Sequence, residues 1–146
     1  MPKLKDRKRL VRELDAIFSR YIRLKDSFMG EAVCVTCGKK ADWAAMQNGH
    51  FYSRGRFSTR WDEDNCHVQC MRCNVILHGN YIAYTKFMID RYGREFVDEL
   101  ERKSLTTQRL TRPEMEELIQ YYKARVKQLL NQQGTIPTVT DVNWGE

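Results

Sequence analysis

Apolar residues recur every three or four positions near the start of the chain, a spacing that predicts one long amphipathic helix. The apolar stripe runs from Leu10 to Leu24 within residues 7–29, and Arg and Lys occupy much of the remaining surface. Gly30 follows, and glycine commonly ends a helix. We therefore expect an N-terminal helix over residues 7–29.

The periodicity is lost between residues 31 and 79, a stretch of short segments that contains all five Cys and all three His of the chain. Such a segment has too little periodic apolar surface to form a core of its own. A bound metal ion would therefore have to organise it. We interpret residues 31–79 as a separate small module within the domain.

Helical spacing returns over residues 80–134. Apolar positions from Tyr81 to Tyr92 end at Gly93, a short second stripe surrounds Val97, and residues 111–114 (TRPE) form a capping box ahead of a third stripe. The pattern predicts an α+β, mainly helical fold with one domain over residues 1–134. A tail without periodicity follows over residues 135–146.

The charge balance of the chain favours a polyanionic partner. Twenty-five Lys plus Arg exceed nineteen Asp plus Glu and leave a net charge of +6, which suits nucleic acid. No apolar run approaches the roughly 18 residues of a membrane span, so we expect a cytoplasmic protein without a membrane partner. Thiols stay reduced in the cytoplasm, where paired cysteines bind metal more often than they form disulfides.

Two Cys-x-x-Cys pairs, Cys34 with Cys37 and Cys70 with Cys73, predict a structural zinc site. Each pair can direct two thiolates at one point, and four such ligands suit one tetrahedral Zn²⁺. Four unrelated buried cysteines or a redox dithiol are the alternatives. The fifth cysteine, Cys66, is interpreted as a small apolar residue packed under the site.

Residues placed around the cysteine pairs resemble the motif of the HNH endonucleases, the ββα-metal nucleases. The motif residues are His50 within residues 48–51 (NGHF), Asn65 five positions before Cys70, and Asn74 directly after Cys73. The resemblance implies that His50 is the general base that activates water. It implies that Asn65 is a structural residue that holds the hairpin loop and helps to orient the base.

The same resemblance implies a catalytic cation, Mg²⁺ or Mn²⁺, bound by Asn74. His78, four residues later, would project from the same helical face as a second ligand. Many HNH enzymes carry an Asp or His directly before the base, whereas this chain has Gly49. The departure leaves open whether the cation site is complete and whether the site is active.

A narrower resemblance covers about residues 10–130 and points to the phage NinG (Rap) recombination proteins. The matching stretches are 49–52 (GHFY), 60–65 (RWDEDN), 67–70 (HVQC), 73–74 (CN), 79–80 (GN), 89–93 (IDRYG) and 97–100 (VDEL). Membership would imply a phage or prophage protein that acts in the host cytoplasm on branched recombination intermediates, such as Holliday junctions and D-loops.

Arginines interleaved with aromatic residues predict DNA contacts in the loop after His50. Arg54, Arg56 and Arg60 suit phosphates, and aromatic faces suit splayed bases. His67, within a matching stretch, is a further candidate for a phosphate contact. The alternatives are a solvated loop for the arginines and a packed structural histidine for His67.

These features predict a metal-dependent DNA endonuclease that acts on branched recombination intermediates. A non-catalytic zinc-containing protein that binds branched or single-stranded DNA and assists other recombination proteins is the alternative, and Gly49 keeps it open. A zinc-stabilised protein adaptor would lack salt-dependent DNA affinity. Paired cuts at a two-fold junction predict a homodimer, with helix 112–132 as one candidate interface.

Overall fold

The computed structural model describes residues 5–134, and within that range the chain folds into five α-helices, two single-turn 3-10 helices, one short π-helix and four short strands. The helices are α1 (Arg7–Lys25), α2 (Phe57–Arg60), α3 (Tyr81–Tyr92), α4 (Arg94–Ser104) and α5 (Arg112–Gly134), and the strands are β1 (Glu31–Val33), β2 (Lys40–Asp42), β3 (Gln47–His50) and β4 (Cys66–Gln69). The prediction of a mainly helical α+β fold is confirmed. The predicted tail, residues 135–146, lies outside the described residues.

Helix α1 begins where Asp6 caps it and ends four residues earlier than the sequence predicts. The Asp6 carboxylate accepts a hydrogen bond from the Arg9 amide at 2.8 Å. At the other end, the Ser27 hydroxyl donates to the Leu24 carbonyl at 2.7 Å. Met29 and Gly30 then have positive φ angles of 51° and 83°, so the chain turns before the glycine instead of at it.

Helices α1 and α5 pack together and form the largest apolar core. Capping at the start of α5 follows the predicted box, because the Thr111 amide donates to Glu114 Oε1 at 2.9 Å and the Glu114 amide donates to Thr111 Oγ1 at 3.3 Å. The Phe18 and Tyr122 rings meet edge to face at 5.0 Å between centroids. Cys66 is fully buried, as expected for a small apolar residue, but it belongs to this helical core and not to the cluster around the four paired cysteines, so the predicted position under the zinc site was wrong.

Two antiparallel hairpins form the β structure. In the first hairpin, β1 pairs with β2, so that Glu31 lies opposite Asp42 and Val33 lies opposite Lys40. Strands β3 and β4 pair from Gln47 with Gln69 to His50 with Cys66. A one-turn π-helix, Arg72–Ile76, leads from β4 toward α3, which packs with α4 around the buried Tyr84 and Met88.

Among residues 5–134, none of the helices combines the length and the apolar character that a bilayer crossing requires.

Candidate functional site

The four paired cysteines converge on one point. The Sγ atoms of Cys34, Cys37, Cys70 and Cys73 all lie within 4.8 Å of one another, and those of Cys37 and Cys70 are 3.7 Å apart. Zn–S bonds of about 2.3 Å at tetrahedral angles would separate the sulfurs by about 3.8 Å. The cluster can therefore hold a metal ion such as zinc.

Hydrogen bonds favour the thiolate form that a metal ion needs at Cys34 but not at Cys37. Although a backbone hydrogen bond from Lys39 lowers the pKa of Cys37, burial and the thiols of the other three cysteines outweigh it and raise that pKa. Thr36 Oγ1 lies 3.2 Å from Cys34 Sγ, and Asn80 Nδ2 donates to Cys73 Sγ at 3.6 Å. Burial alone would raise the pKa of Cys34, but the hydrogen bonds from Thr36 and from backbone amides outweigh it and lower that pKa to about 6. Partners of this kind orient metal ligands and tune their basicity.

A cavity of about 660 Å³ lies beside the cysteine cluster and contains several of the predicted site residues. Strand β3 contributes His50, the π-helical turn contributes Asn74, the following turn contributes His78, and the loop after β3 contributes Arg54. The structure therefore brings together the predicted base, both predicted cation ligands and one predicted DNA contact, although these residues are up to 28 positions apart in the sequence.

His50 closes strand β3 and is held by the backbone of the α2 segment. Its Nε2 lies 2.8 Å from the Arg60 carbonyl oxygen. A carbonyl only accepts, so a neutral His50 carries its proton on Nε2 and keeps Nδ1 as an acceptor. Burial lowers the pKa of His50 below its usual value of 6.5, although the Arg60 carbonyl and the Asp15 carboxylate oppose that shift. The neutral imidazole is thus the favoured form near pH 7.

Asn65 is fully buried and ties the hairpin loop together. Its Oδ1 accepts from the Tyr52 amide at 2.8 Å, while Nδ2 donates to the carbonyls of Tyr52 and Thr59 at 3.0 and 3.1 Å. These three bonds connect the segment that follows His50 with the helix that precedes β4. Asn65 therefore fixes the loop after β3 against α2.

Asn74 and His78 reach the cavity from different local structures, not from one helical face. Asn74 lies in the π-helical turn, and its Nδ2 donates to Gln47 Oε1 at 2.7 Å. His78 comes after that turn and has a positive φ of 49°, followed by Gly79 at 96° and Asn80 at 48°. The predicted helical spacing of Asn74 and His78 was therefore wrong, because three consecutive left-handed residues separate the turn from α3.

Gln69 connects this left-handed turn to the cysteine cluster. Its Nε2 donates to Thr36 Oγ1 at 3.1 Å and to the Gly79 carbonyl at 2.9 Å. Thr36 lies between Cys34 and Cys37, and Gly79 follows His78 directly. The position of His78 is thereby coupled to the conformation of the first cysteine pair.

The three predicted DNA-binding arginines have different surroundings. Arg54 is exposed at the cavity, and Arg56 is exposed with Nη1 donating to Ser104 Oγ at 3.2 Å. Arg60 is instead engaged with Asp15 of α1, since Nε donates to Oδ1 at 2.9 Å and Nη2 to Oδ2 at 2.5 Å. Because the Arg60 side chain is 12% exposed and its guanidinium is already paired, a DNA contact by Arg60 does not fit this structure.

His67 is buried among aromatic side chains. Only 2% of the residue is exposed, and its two ring nitrogens lie 2.9 and 2.7 Å from the hydroxyls of Tyr84 and Tyr92. Burial lowers the pKa of His67 to about 3, so the ring is neutral. The predicted phosphate contact is inconsistent with this burial, and the alternative of a packed structural histidine agrees with it.

Sequence reasoning missed one wall of the cavity. Asp15, Ser19 and Arg23 of α1 line it. Their spacing of four residues places them on one face of a helix. That spacing is visible in the sequence, but which element the face would meet depends on how α1 packs in three dimensions.

Comparison with known proteins identifies relatives among bacteriophage proteins. Residues 1–132 match the family model described as Bacteriophage Lambda NinG protein. The proteins named "Protein ninG" of Escherichia phage 933W and Escherichia phage lambda are 31% and 30% identical over 131 residues, which is 88% of this chain and 62% and 61% of theirs. That of Salmonella phage P22 is 33% identical over 101 residues, covering 67% of this chain and 47% of its own.

The chain thus spans about three fifths of the length of the first two relatives. No solved structure matches it. The match of the family model over nearly the whole chain places this protein in the NinG family of bacteriophage proteins.

Proposed function

We propose that this protein is a metal-dependent DNA endonuclease of the HNH type that acts on branched recombination intermediates. The observation that carries the proposal is the single cavity lined by His50, Asn74 and His78. The branched substrate, such as a Holliday junction or D-loop, follows from the resemblance of the sequence to phage recombination proteins. The host cytoplasm is the proposed location.

His50 is the proposed general base. With Nε2 bonded to the Arg60 carbonyl, Nδ1 can take a proton from a water molecule as that water attacks the phosphorus of the scissile phosphodiester. The P–O bond to the leaving oxygen then breaks, and that oxygen takes up a proton from solvent. A pKa lowered by burial keeps Nδ1 available as an acceptor at neutral pH.

Asn74 and His78 are the residues that would hold a catalytic cation. Because Asn74 Nδ2 is engaged with Gln47, its Oδ1 remains as a hard oxygen donor, and His78 offers an imidazole at the same cavity. Few protein ligands with at least one oxygen fit Mg²⁺ or Mn²⁺, which retain several waters. When bound, the cation would neutralise charge on the scissile phosphate and the leaving oxygen.

A homodimer is proposed because resolution of a four-way junction requires two cuts related by approximate two-fold symmetry. Helix α5 is one candidate for the dimer interface, since it exposes the apolar side chains of Tyr121 and Leu130. Other recombination proteins are further candidate partners. A monomeric mass in sedimentation, with and without junction DNA, would contradict the dimer.

The decisive experiment is cleavage of a labelled four-way junction and of matched duplex DNA by zinc-loaded protein, with and without added Mg²⁺ or Mn²⁺. His50→Ala should abolish cleavage and retain binding. Lys86→Ala, which changes an exposed residue of α3, is purified in the same way as the control for contaminating nucleases. Cleavage that persists in His50→Ala would contradict the assignment of the base.

The alternative function is a zinc-containing DNA-binding recombination accessory without catalytic activity. Gly49 favours it, because the side chain that many HNH enzymes use at this position as a metal ligand is absent here. Tight junction binding with no cleavage under either divalent cation would support this alternative and contradict the endonuclease.

A further inference from the structure

Helix α1 presents a preorganised arginine to the cavity. Arg23 Nε donates to the Ser19 carbonyl at 3.1 Å, and Nη1 lies 3.3 and 3.5 Å from the carbonyls of Ala44 and Met46. The guanidinium carbon lies 5.2 Å from the centroid of the Trp43 ring. These contacts fix the plane of the guanidinium. Among residues 5–134, Nη2 has no hydrogen-bond partner, so it is available to an anion, and little side-chain entropy remains to be lost on binding one.

The charge of Arg23 is not compensated by a carboxylate. Within residues 5–134, no acidic group lies at ion-pair distance from it. Asp15 is the only acidic residue among the described residues that line the cavity, and both of its oxygens are bonded to Arg60. Arg54 adds a second positive charge to the same cavity.

This environment is unfavourable for a cation that has no partner. Burial, together with the nearby Arg20, lowers the pKa of Arg23 below its usual value. Arginine nevertheless stays protonated in proteins, so the destabilisation persists as an electrostatic cost. A bound anion would relieve that cost, and a planar guanidinium matches phosphate oxygens better than any other side chain does.

We propose that Arg23 binds a backbone phosphate of the DNA strand that enters the cavity, with helix α1 forming a phosphate-binding wall of the cavity that His50 and Asn74 also line. The inference rests on the proposed function, since it takes DNA to be the ligand of this cavity. It assigns to the N-terminal helix a substrate-binding role outside the segment that carries the cysteines and the histidines.

Binding of labelled four-way junction DNA over a range of salt concentrations tests this assignment. Each variant is made in the His50→Ala background, so that the DNA stays intact. Arg23→Gln should weaken binding and reduce the slope of log K against log salt by about 0.9, the value for one lost phosphate contact. Arg23→Lys keeps the positive charge but loses the planar guanidinium. It should therefore retain most of the slope of log K against log salt.

Arg12→Gln is the matched control, because it removes the same charge from an exposed position of the same helix, about 16 Å away along the axis. Equal slopes for Arg23→Gln and Arg12→Gln would overturn the proposed role of Arg23. They would not contradict the proposed endonuclease function. A parent protein that binds no DNA would instead overturn the proposed function. Thermal unfolding of each variant separates a binding defect from misfolding. Arg23→Met, which also removes the charge but keeps an apolar stem, replaces Arg23→Gln in the comparison with Arg12→Gln if Arg23→Gln does not fold.

Discussion

The side chain of Gln69 occupies the space that any side chain at position 49 would need. A Cβ atom built on Gly49 would lie 2.0 Å from Gln69 Oε1 and 2.6 Å from Cδ, far inside contact distance. Gln69 is fully buried and held by its bonds to Thr36 and Gly79. Glycine at position 49 is therefore a packing requirement of this chain.

Gly49→Ala should destabilise the fold by about 1–3 kcal/mol, the usual range for overpacking a filled interior. In a Gln69→Ala background the same change should cost much less, because the obstructing amide is gone. Denaturant unfolding of the two single variants and the double variant measures the coupling between the two positions. Additive effects would show that Gln69 does not restrict position 49.

The pH dependence of cleavage should reflect the environment of His50. Because a base acts when deprotonated and the pKa of His50 is lowered, the rate should fall only as the pH drops below 6.5. Asp15→Asn removes a carboxylate that raises the pKa of His50, so the acidic limb should move to lower pH. Arg54→Gln removes a charge that lowers this pKa and should move the limb the other way.

Imidazole NMR titration provides the same test without relying on cleavage. The chain has three histidines, so the His50 resonances can be assigned by their loss in His50→Ala. Midpoints that stay unchanged in both Asp15→Asn and Arg54→Gln would contradict the proposed electrostatic control of His50. Asp15→Asn should also destabilise the protein by about 2 kcal/mol, because Arg60 loses charged hydrogen bonds at a largely buried site.

His67 should make stability decrease in acid. Its pKa is about 3 in the folded protein and near 6.5 when unfolded, so between these values the unfolded chain binds the additional proton. The contribution of His67 to the free energy of unfolding is thus complete above pH 6.5. It declines as the pH falls, by at most about 1.4 kcal/mol per pH unit. Urea unfolding between pH 7 and pH 4 should show a shallower decline for His67→Gln than for the parent protein. Identical declines would contradict the burial of a neutral imidazole.

Zinc content should depend on the four clustered cysteines and not on Cys66. Cys34→Ser should lose stoichiometric zinc and lower the melting temperature, because the segment around the cluster has little apolar core of its own. Cys66→Ala removes a buried thiol from the main helical core and should keep its zinc. The zinc content of the two purified variants, measured by metal analysis, tests this prediction. Equal loss of zinc from both would contradict the assignment of the four clustered cysteines as ligands.

The sequence predicted the features that depend on local spacing. The cysteine cluster followed from two matched pairs, and helix α5 followed from the Thr111–Glu114 capping box and the apolar stripe behind it. The end of α1 was misplaced by four residues, because Met29 adopts a left-handed conformation that residue type does not announce. Local spacing was sufficient to predict a feature when the residues that determine it lie within one or two helical turns of one another in the sequence.

Features that depend on tertiary contacts could not be predicted from the sequence. His67 and His50 look equally polar in the sequence, yet the hydroxyls of Tyr84 and Tyr92 hold one in the interior while the other borders the cavity. Arg60 was assigned to DNA because its partner, Asp15, lies 45 residues earlier. The position of Arg23 at the cavity depends on the packing of α1 beside strand β3, which the sequence does not show.

The bonds from Gln69 to Thr36 and Gly79 make the cysteine cluster part of the machinery that shapes the cavity. The core between α1 and α5 contains none of the four ligands, so it can survive a disturbance of the cluster. Removal of a metal ion bound by the cluster would then leave much of the helical content in place, while the turn that carries His78 would lose its support. Metal occupancy, and not helicity, should therefore report whether a preparation can carry out the proposed cleavage.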